Sequence, residues 1–435
     1  MSQWLAGTGR FITFGFAINT LFLFLLPSFV LMKTELRWDG FKWHTLKTIA
    51  TILSLCALLS GIYHIAEKPI SPHYNVARSE LVNVIPAHFI DSSLKYLHHQ
   101  YFEPAPIFTI LDNEPVLAEP TLHKTLVLVL AESVRAASFG ATHLLDAKHQ
   151  AGQQNVISAC DTSAMSSSQC IFSLLSRTAF IDHNATHQQN VLDILSLAGV
   201  NIYWLSNDGS CGDICKRAKV DERKLECDKH PCYDHELIDL ALTKILNTPQ
   251  TANQSNLIII QTQNIGSPLY SRFYPHTYAS KKPECKTLLV SNCDRAELMN
   301  SYSNAIKYMK YVLTKANSAL NNFHRQHPQV ATSLVFTSKY GESLGEKGYY
   351  FHGSPKAVAP SEQLQVPLLI VDEQLPHNCL STLNTQLSHD SISHTLLGYF
   401  HVKSKVYSAN FDIAAVCGEQ LKRTKMQANL AQHTH

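Results

Sequence analysis

Two long apolar segments stand near the start of the chain, at residues 11–32 and 48–65, and neither contains Asp, Glu, Lys or Arg. A helix needs roughly 20 apolar residues to cross the core of a bilayer. Both segments are therefore predicted to be transmembrane helices. A signal peptide is the alternative for the first segment, but the apolar run is longer than a signal peptide requires and no small-residue cleavage site follows it.

The basic residues around these segments predict their orientation. Lys33, Arg37, Lys42 and Lys47 lie between the two segments, whereas only Arg10 precedes the first. Positively charged loops tend to remain on the cytoplasmic side of a membrane. We therefore expect the short loop to be cytoplasmic, and both termini and the rest of the chain to face outward.

Apolar runs of strand length recur after residue 120 and alternate with helix-length segments. Continuous apolar runs rich in β-branched residues are typical of strands buried on both faces, and intervening helices favour a parallel sheet. The helical period is clear over 191–197 and 296–320. These patterns predict an α/β fold with strands at 125–131, 201–205, 257–261, 333–337 and 368–371.

The same patterns divide the chain into four parts. We expect a membrane anchor over 1–69, a linker over 70–120, an α/β domain over 121–418 and a flexible polar tail over 419–435. The formal net charge of +2 excludes a nucleic-acid binder that depends on bulk positive charge. A charged fraction of 16% with 17 Gly and 18 Pro excludes a disordered or collagen-like chain.

Ten of the 11 cysteines follow the second apolar segment, and Cys56 lies within it. An outward-facing domain favours disulfides. Zinc binding is the alternative, but the close cysteine pairs lack the two-residue gap of zinc ribbons. The expected bridges join Cys160 with Cys170, Cys211 with Cys215, Cys227 with Cys232, and Cys285 with Cys293, and Cys379 with Cys417 form a possible fifth pair.

Candidate chemistry collects where the predicted strands end. Glu132 follows the first strand, Asn207 and Asp208 follow the second, and polar residues over 261–265 and 338–346 follow the next two. The carboxyl ends of parallel strands meet at one edge of a sheet, where α/β proteins usually bind their ligands. We therefore expect these positions to lie near one another.

Five sequence segments carry a family resemblance. They are ESVR at 132–135, the Cys-framed CDTSAMSSSQC at 160–170, WLSNDGSCGDIC at 204–215, NSYSNAIKYMKYVL at 300–313 and GESLGEKGYYFHGSP at 341–355. Together they resemble the inner-membrane phosphoethanolamine transferases that modify lipid A, within the alkaline-phosphatase/sulfatase superfamily. The order of the segments and the cysteine spacing match over roughly 70–418.

The resemblance implies a fold, a cofactor and a location. It implies an alkaline-phosphatase/sulfatase-like domain with a mainly parallel central sheet, located in the periplasm and attached to a bacterial inner membrane. It also implies zinc as the cofactor and phosphatidylethanolamine as the donor of the transferred group. The family usually has five membrane spans, whereas this sequence predicts two.

Carried over position by position, the resemblance leaves few of the family's reactive groups in place. Glu132 stands at the first carboxylate ligand, and His352 at the His of the family's Tyr/His/Gly stretch. Ala164 replaces the nucleophilic Thr, and Lys339 and Tyr340 replace an Asp-His ligand pair. A methyl group cannot attack phosphorus, and an ammonium group repels a metal dication. These substitutions predict a catalytically degenerate protein in which zinc is absent or weakly bound.

Three further family positions are changed. Gln261 and Gly266 stand where the family has the two His of its His-x-x-x-x-His-Gly-Pro segment. Gly212 replaces a Lys that binds substrate in the family. The imidazole and ammonium groups expected at these positions are therefore missing from this chain.

The hydroxyl groups near Ala164 have two interpretations. Thr162 and Ser163, together with the serines at 166–168, are weak candidates for a shifted nucleophile. A hydroxyl without a neighbouring base or metal stays protonated and is a weak nucleophile. The alternative is that these hydroxyls cap a helix that begins after Cys160, and this is the interpretation we favour.

The two remaining ligand positions also have structural alternatives. Glu132 is either a weak remnant of a metal site or a partner of Arg135 or Lys339. His352 is either a second remnant or an ordinary hydrogen-bonded loop histidine. Candidates to complete a relocated zinc site with these two residues are Asp161, Asp208 and Glu342.

Three functions are compatible with the sequence. The first is a degenerate family member that acts as a headgroup-binding or regulatory partner, with Lys339 binding the phosphate of phosphatidylethanolamine or lipid A. The second is an active transferase that uses a shifted nucleophile, and the third is a structural subunit of an envelope assembly. The expected partners are membrane lipids and an active transferase or another envelope protein, and nucleic acid is not among them.

Overall fold

A computed structural model of the chain describes residues 107–144, 152–180, 185–207, 211–225, 232–263, 265, 269–383 and 387–432. These residues belong to the unit that spans 106–435. Both predicted membrane spans and most of the predicted linker lie outside the described residues. Within the described ranges, no helix has both the length and the apolar character that a membrane crossing requires.

A seven-stranded sheet in the order β3-β10-β7-β2-β6-β4-β5 forms the centre of this unit. The described strands are β1 (Val116–Leu117), β2 (Lys124–Ala131), β3 (Gln153–Ser158), β4 (Asn201–Ser206), β5 (Val220–Lys224), β6 (Asn256–Gln261), β7 (Ala331–Ser338), β8 (Ser343–Leu344), β9 (Tyr350–Phe351), β10 (Gln365–Asp372) and β11 (Val402–Lys403). β1 pairs with β11, and β8 pairs with β9, in two small antiparallel sheets.

Helices lie between the strands and after the last one. The described α-helices are α1 (Ala136–Phe139), α2 (Ala164–Phe172), α3 (Val191–Leu197), α4 (Asp234–Glu236), α5 (Thr243–Leu246), α6 (Arg295–Gln326), α7 (Ser361–Leu364), α8 (Cys379–Thr382), α9 (Asp390–Tyr399) and α10 (Ile413–Gln432). A π-helical segment, Leu237–Leu242, joins α4 to α5. Short 3-10 turns occupy Gly212–Ile214, Pro249–Asn253, Tyr270–Arg272, His276–Tyr278, Val290–Asn292 and Glu346–Gly348.

The central sheet is mixed, which refines the expectation of a mainly parallel sheet. Neighbouring strands from β7 through β2, β6 and β4 to β5 are parallel. In contrast, β10 is antiparallel to both β7 and β3. A parallel return after β7 would need a crossover connection, usually a helix. The connection over 339–364 contains only β8, β9 and the four-residue α7 as regular α or β elements, so the chain re-enters the sheet in the opposite direction.

All five predicted strands are present, as β2, β4, β6, β7 and β10. β2 is buried along its whole length, as its continuous apolar run predicted. The apolar pattern does not predict β3 and β5, which read QQNVIS and VDERK. Both lie at the edges of the sheet, where water reaches the strand and polar side chains are tolerated, so neither shows an apolar run.

The predicted cysteine pairs are found in the structure wherever both partners are described. Disulfides join Cys160 to Cys170, Cys211 to Cys215, Cys285 to Cys293, and Cys379 to Cys417. Cys232 is also disulfide-bonded, while Cys227 and Cys56 lie outside the described residues.

The end of the chain differs from the predicted flexible tail over 419–435, because α10 continues as a helix to Gln432. Residues such as Ala, Leu, Gln, Lys and Met dominate this segment, and all of them favour helix. Glu419 and Arg423 add an ion pair at helical spacing. The polar composition of the tail therefore does not indicate a loss of helical structure.

Candidate functional site

Parallel pairing of β2 with β7 brings Glu132 and Lys339 together. Ala131 and Ser338 are partners in the ladder, so the next residue of each strand leaves the sheet at the same point. The Lys339 backbone N–H donates to the Ala131 carbonyl at 2.8 Å. The Lys339 Nζ donates to Glu132 Oε1 at 2.5 Å. Among the alternatives for Glu132, the structure therefore contains the pair with Lys339.

This ion pair is largely shielded from water. The Lys339 side chain is 3% exposed and the Glu132 side chain is 17% exposed. An ammonium group taken out of water needs an opposite charge close by. Arg135 is the other predicted partner of Glu132, but its guanidinium group pairs with Glu346 instead, at 2.7 Å. The ammonium of Lys339 is therefore the cation that the described structure places on the Glu132 carboxylate.

His352 belongs to a second polar cluster beside this pair. Its Nδ1 lies 2.9 Å from Glu342 Oε2, and the fully buried Glu342 also accepts from the Tyr270 hydroxyl at 2.7 Å. The Tyr340 ring lies 4.3 Å from the His352 ring, centroid to centroid. Burial lowers the pKa of His352, but the charge and hydrogen bond of Glu342, together with the charge of Glu132, raise this pKa above its ordinary value.

The backbone on either side of these clusters is strained. Ser133, which follows Glu132, has φ of +57°, and Phe351, which precedes His352, has φ of +65°. Residues other than glycine rarely adopt such angles, and the surrounding contacts must hold them there. The Ser133 carbonyl accepts from the Tyr302 hydroxyl of α6 at 2.7 Å. Long-range contacts therefore maintain the geometry of this strand end.

Ala164, which the resemblance aligns with the family's nucleophile, is the first residue of α2. Ser163 is the N-cap, and its Oγ accepts from the Ser166 N–H at 3.3 Å. The Thr162 hydroxyl donates to the Ser354 carbonyl at 2.6 Å. The Asp161 carboxylate accepts from the backbone N–H groups of Thr162 and Ser163. The predicted capping role is confirmed for Ser163, and the Thr162 hydroxyl donates to another loop.

The loop that carries His352 also touches the start of α2. The Gly353 N–H donates to the Thr162 carbonyl at 2.9 Å. This contact places the Ala164 segment next to the His352 cluster. Contacts between these segments therefore place Ala164, His352, Glu132 and Lys339 in one site, at the edge of the sheet where the parallel strands end.

The remaining predicted positions are distributed around this edge. Gln261 ends β6, paired with Leu130 of β2. Gly212 is exposed in the 3-10 turn between Cys211 and Cys215. Gly266 and Asp208 lie outside the described residues.

The donor groups within the described ranges do not fit a zinc ion. Zinc sites need three or four Cys thiolate, His or carboxylate ligands converging on one point. Within the described ranges, two such groups occur, Cys160 with Cys170 and Asp390, and Cys211 with Cys215 and Glu222. The sulfurs in both are joined in disulfides and cannot act as thiolates.

Neither of these groups contains Glu132 or His352, the two residues that the resemblance aligns with family ligands. Glu132 is instead paired with the ammonium group of Lys339, and His352 is paired with Glu342. Asp161 and Glu342, proposed to complete a relocated zinc site, are engaged with the start of α2 and with His352, respectively.

A buried histidine holds the start of the segment that leads to Ala164. The Cys160 N–H donates to His389 Nδ1 at 3.1 Å, and the His389 side chain is fully buried. Burial lowers the pKa of His389 to about 3, from 6.5. The unfolded chain therefore binds a proton near pH 6.5 that the folded chain does not bind until about pH 3.

This difference predicts acid destabilisation through His389. Its contribution to stability is complete above about pH 6.5 and falls by about 1.4 kcal/mol for each pH unit below that. We expect His389→Gln to flatten the dependence of unfolding free energy on pH between about pH 6 and pH 4, with denaturant unfolding as the measurement. The matched control is His276→Gln, which makes the same substitution at an exposed histidine. Equal slopes for His389→Gln and the unaltered protein would contradict the prediction.

The sequence did not predict the hydrogen bonds that reach the site from distant positions. The Tyr270 hydroxyl binds Glu342 across 72 residues, and His389 holds Cys160 across 229 residues. The family resemblance retains Tyr270 beside the segment of Gln261 and Gly266, but it does not pair Tyr270 with Glu342, and His389 stands in no recognised segment. A hydrogen bond between residues so far apart depends on the tertiary fold, and no local sequence signal predicted it.

Comparisons with known proteins agree with this fold. The sulfatase family model matches residues 124–402, and the model for phosphoethanolamine transferase EptA/EptB matches residues 5–101. Phosphoethanolamine transferase EptA from Escherichia coli (strain K12) is 32% identical over 362 residues, which cover 78% of this chain and 65% of that protein. The chain thus spans slightly less than two thirds of the length of that relative.

Two solved structures extend the comparison. The integral membrane protein lipooligosaccharide phosphoethanolamine transferase A (EptA) from Neisseria meningitidis is 26% identical with a TM-score of 0.70, over 94% of this chain and 80% of that chain. The zinc complex of the C-terminal periplasmic domain of EptC from Escherichia coli is 15% identical with a TM-score of 0.52, over 71% of this chain and 90% of that chain, and shares the fold alone. With the sulfatase model covering well over half of its residues, this chain belongs to the sulfatase family, as an EptA-like member of its phosphoethanolamine transferase branch.

Proposed function

We propose that this chain is a catalytically degenerate member of its family that holds a phosphoethanolamine-type headgroup and does not transfer it. The observation that carries the proposal is the Lys339 ammonium, 2.5 Å from the Glu132 carboxylate and 3% exposed. The Lys339 ammonium thus pairs with the Glu132 carboxylate, which a metal ion would need as a ligand. It would repel an incoming dication by roughly 4 kcal/mol for each unit of charge at 4 Å.

The groups near Ala164 support the loss of transfer. The Ala164 methyl group cannot form a bond to phosphorus. The Thr162 hydroxyl is buried and donates to a backbone carbonyl, and the Ser163 hydroxyl caps α2. No contact described for Thr162 or Ser163 pairs its hydroxyl with a histidine that could take up its proton.

The charges that remain match a zwitterionic headgroup. Phosphoethanolamine carries a phosphate at one end and an ammonium group at the other. Lys339 uses one of its three N–H donors on Glu132, which leaves donors for a phosphate oxygen, and the raised pKa of His352 favours a second positive group. The partly exposed Glu132 carboxylate is the acceptor for the ammonium end. Lys339 is thus an anion-binding residue within a pair and does not act as an isolated cation.

The proposed location is the bacterial inner membrane, with the soluble domain and both termini in the periplasm. The two predicted spans and the basic loop between them support this arrangement. The Neisseria meningitidis structure is named an integral membrane protein, and the Escherichia coli EptC structure is named a periplasmic domain. An active transferase or another envelope protein is the proposed protein partner.

Three measurements on the full-length protein in detergent test the proposal. We expect far less than one zinc per chain by elemental analysis, no phosphoethanolamine transfer from phosphatidylethanolamine to lipid A, and saturable binding of soluble phosphoethanolamine by calorimetry. Glu132→Gln is expected to weaken that binding about tenfold, because it removes the acceptor charge. Ethanolamine and inorganic phosphate, titrated separately, show whether both ends of the ligand contribute.

The competing function is an active transferase with a shifted nucleophile. Stoichiometric zinc together with a phosphoethanolamine adduct on Thr162 or Ser163, detected by mass spectrometry, would establish that function and refute ours. Absence of zinc, transfer and phosphoethanolamine binding together would instead favour the structural-subunit hypothesis.

A further inference from the structure

A loop over 281–289 presents two leucines to solvent. Leu288 is 62% exposed and Leu289 is 48% exposed. The next residue, Val290, is buried, and Cys285 is buried in its disulfide with Cys293. The disulfide and the buried Val290 therefore anchor the loop, while the two leucine side chains remain exposed. Single exposed apolar side chains are common, but an adjacent pair on an anchored loop indicates a contact surface.

The same loop carries three unneutralised lysines. Lys281, Lys282 and Lys286 are exposed, and within the described residues no ion pair joins them to a carboxylate. The acid inside the loop, Glu284, accepts from the Tyr274 hydroxyl at 2.5 Å and faces the protein. The Lys281–Leu289 loop therefore combines a cluster of positive charge with an exposed apolar pair.

Side chains of α6 hold this loop in place. Asn304 accepts from the Lys281 N–H at 2.9 Å and donates to the Lys281 carbonyl at 3.0 Å. The Ser301 hydroxyl accepts from the Cys285 N–H at 2.8 Å. Tyr302, on the same turn of α6, donates to the Ser133 carbonyl beside Glu132. The loop is thus anchored to the helical turn that also contacts the Glu132 strand end, so it lies at the rim of the candidate site.

We propose that the Lys281–Leu289 loop docks onto the surface of a phospholipid bilayer that contains anionic lipids. The lysines contact lipid phosphates, and Leu288 and Leu289 enter the boundary between headgroups and acyl chains. A bilayer offers negative charge and an apolar layer side by side, which matches both features of the loop. An acidic protein surface would match the lysines but would leave the leucines against polar groups.

This docking surface lies outside the Glu132–Lys339 pair and does not depend on whether that pair binds a headgroup. Its effect would be to hold the rim of the site against the membrane. Each lysine near an anionic surface strengthens association about fivefold, so three lysines account for about a hundredfold in the docking equilibrium.

The test uses the full chain in nanodiscs with an environment-sensitive fluorophore on Leu288→Cys. Cys56→Ala is included because Cys56 is left over by the five expected cysteine pairs. Leu197→Cys is the matched control, since Leu197 is 53% exposed at the end of α3, just before the amino end of β4 and so near the opposite edge of the sheet. In nanodiscs containing phosphatidylglycerol, we expect spin-labelled lipids to quench the probe at 288 several-fold more than the probe at 197.

Two variations separate charge from simple proximity. Nanodiscs of phosphatidylcholine alone, and the variant Lys281→Gln/Lys282→Gln/Lys286→Gln in phosphatidylglycerol nanodiscs, are both expected to lose most of the quenching at 288. Equal quenching at 288 and 197 would overturn the proposal. So would quenching at 288 that does not change with lipid charge or with removal of the lysines, or quenching at 288 that appears only when another protein is added. The calorimetric test of the Glu132–Lys339 pair uses a soluble ligand and no bilayer, so the two proposals can fail separately.

Discussion

Lys339→Met is expected to lower the free energy of unfolding by about 3 kcal/mol. Methionine keeps most of the volume of the lysine stem, so the loss of unfolding free energy comes from the missing charge and not from a cavity. The change leaves the Glu132 carboxylate, which is 17% exposed, without the counter-charge that lies 2.5 Å away. Breaking a buried ion pair from one side typically costs about 3–5 kcal/mol, and the residual exposure of Glu132 favours the lower end. Denaturant unfolding of the full-length protein in detergent is the measurement.

A double-mutant cycle provides the control for this prediction. Glu132→Gln alone leaves the Lys339 ammonium buried and is expected to destabilise the protein by a similar amount. The double variant Glu132→Gln/Lys339→Met removes both charges and is expected to recover at least half of the summed loss. Losses that simply add would show that the two charges do not stabilise each other, and the interpretation of Lys339 as an internal counter-ion would then be wrong.

Lys339→Asp combined with Tyr340→His is expected to convert the site into one that holds zinc. The change restores the carboxylate and imidazole that the family resemblance places at these positions. Glu132 would lose its ammonium partner, and His352 lies against residue 340, with 4.3 Å between ring centroids. The site would then contain up to four donors of the kinds that zinc binds, the number found in many zinc sites.

The expected gain in zinc affinity is large. Replacing a positive charge by a negative one, each about 4 Å from the ion, changes the interaction by several kcal/mol even at an effective dielectric constant of about 20. We expect at least about a 10³-fold gain in apparent affinity, equivalent to about 4 kcal/mol. Elemental analysis after dialysis and competition with a chromophoric chelator are the measurements.

The matched control for zinc binding is Lys339→Met/Tyr340→Phe. It changes the same two positions and removes the ammonium group but supplies no new donor. We expect it to remain essentially free of zinc. Zinc binding as tight in the unaltered chain as in the Asp/His variant would contradict both this prediction and the proposed loss of metal dependence.

The apolar pattern predicted most of the secondary structure near the site. β2, β4, β6, β7 and β10 each contain a run of apolar residues because the sheet buries them on both faces. The edge strands β3 and β5 lack such runs, and their pairing depends on a neighbour that the local sequence does not specify. The sequence also did not predict that β10 is antiparallel to its neighbours, because the direction of a strand depends on the path of the connection before it.

The sequence by itself determined which chemical groups are present at the site. From residue identity alone, Ala164 has no hydroxyl, Lys339 has no carboxylate and Tyr340 has no imidazole. Cysteine spacing likewise identified the close disulfide pairs, because a short loop brings both sulfurs within reach whatever the rest of the fold does.

Only the tertiary structure decided how those groups are paired. Glu132 had two candidate partners in the sequence, and the register of β2 with β7 selected Lys339 and left Arg135 to Glu346. The Glu342–Tyr270 hydrogen bond and the attachment of the Lys281–Leu289 loop to α6 likewise depend on the fold. The physical reason is that residue identity specifies charge and hydrogen-bonding capacity, whereas an ion pair or hydrogen bond forms only within a few ångströms, and the fold alone sets distances between remote residues.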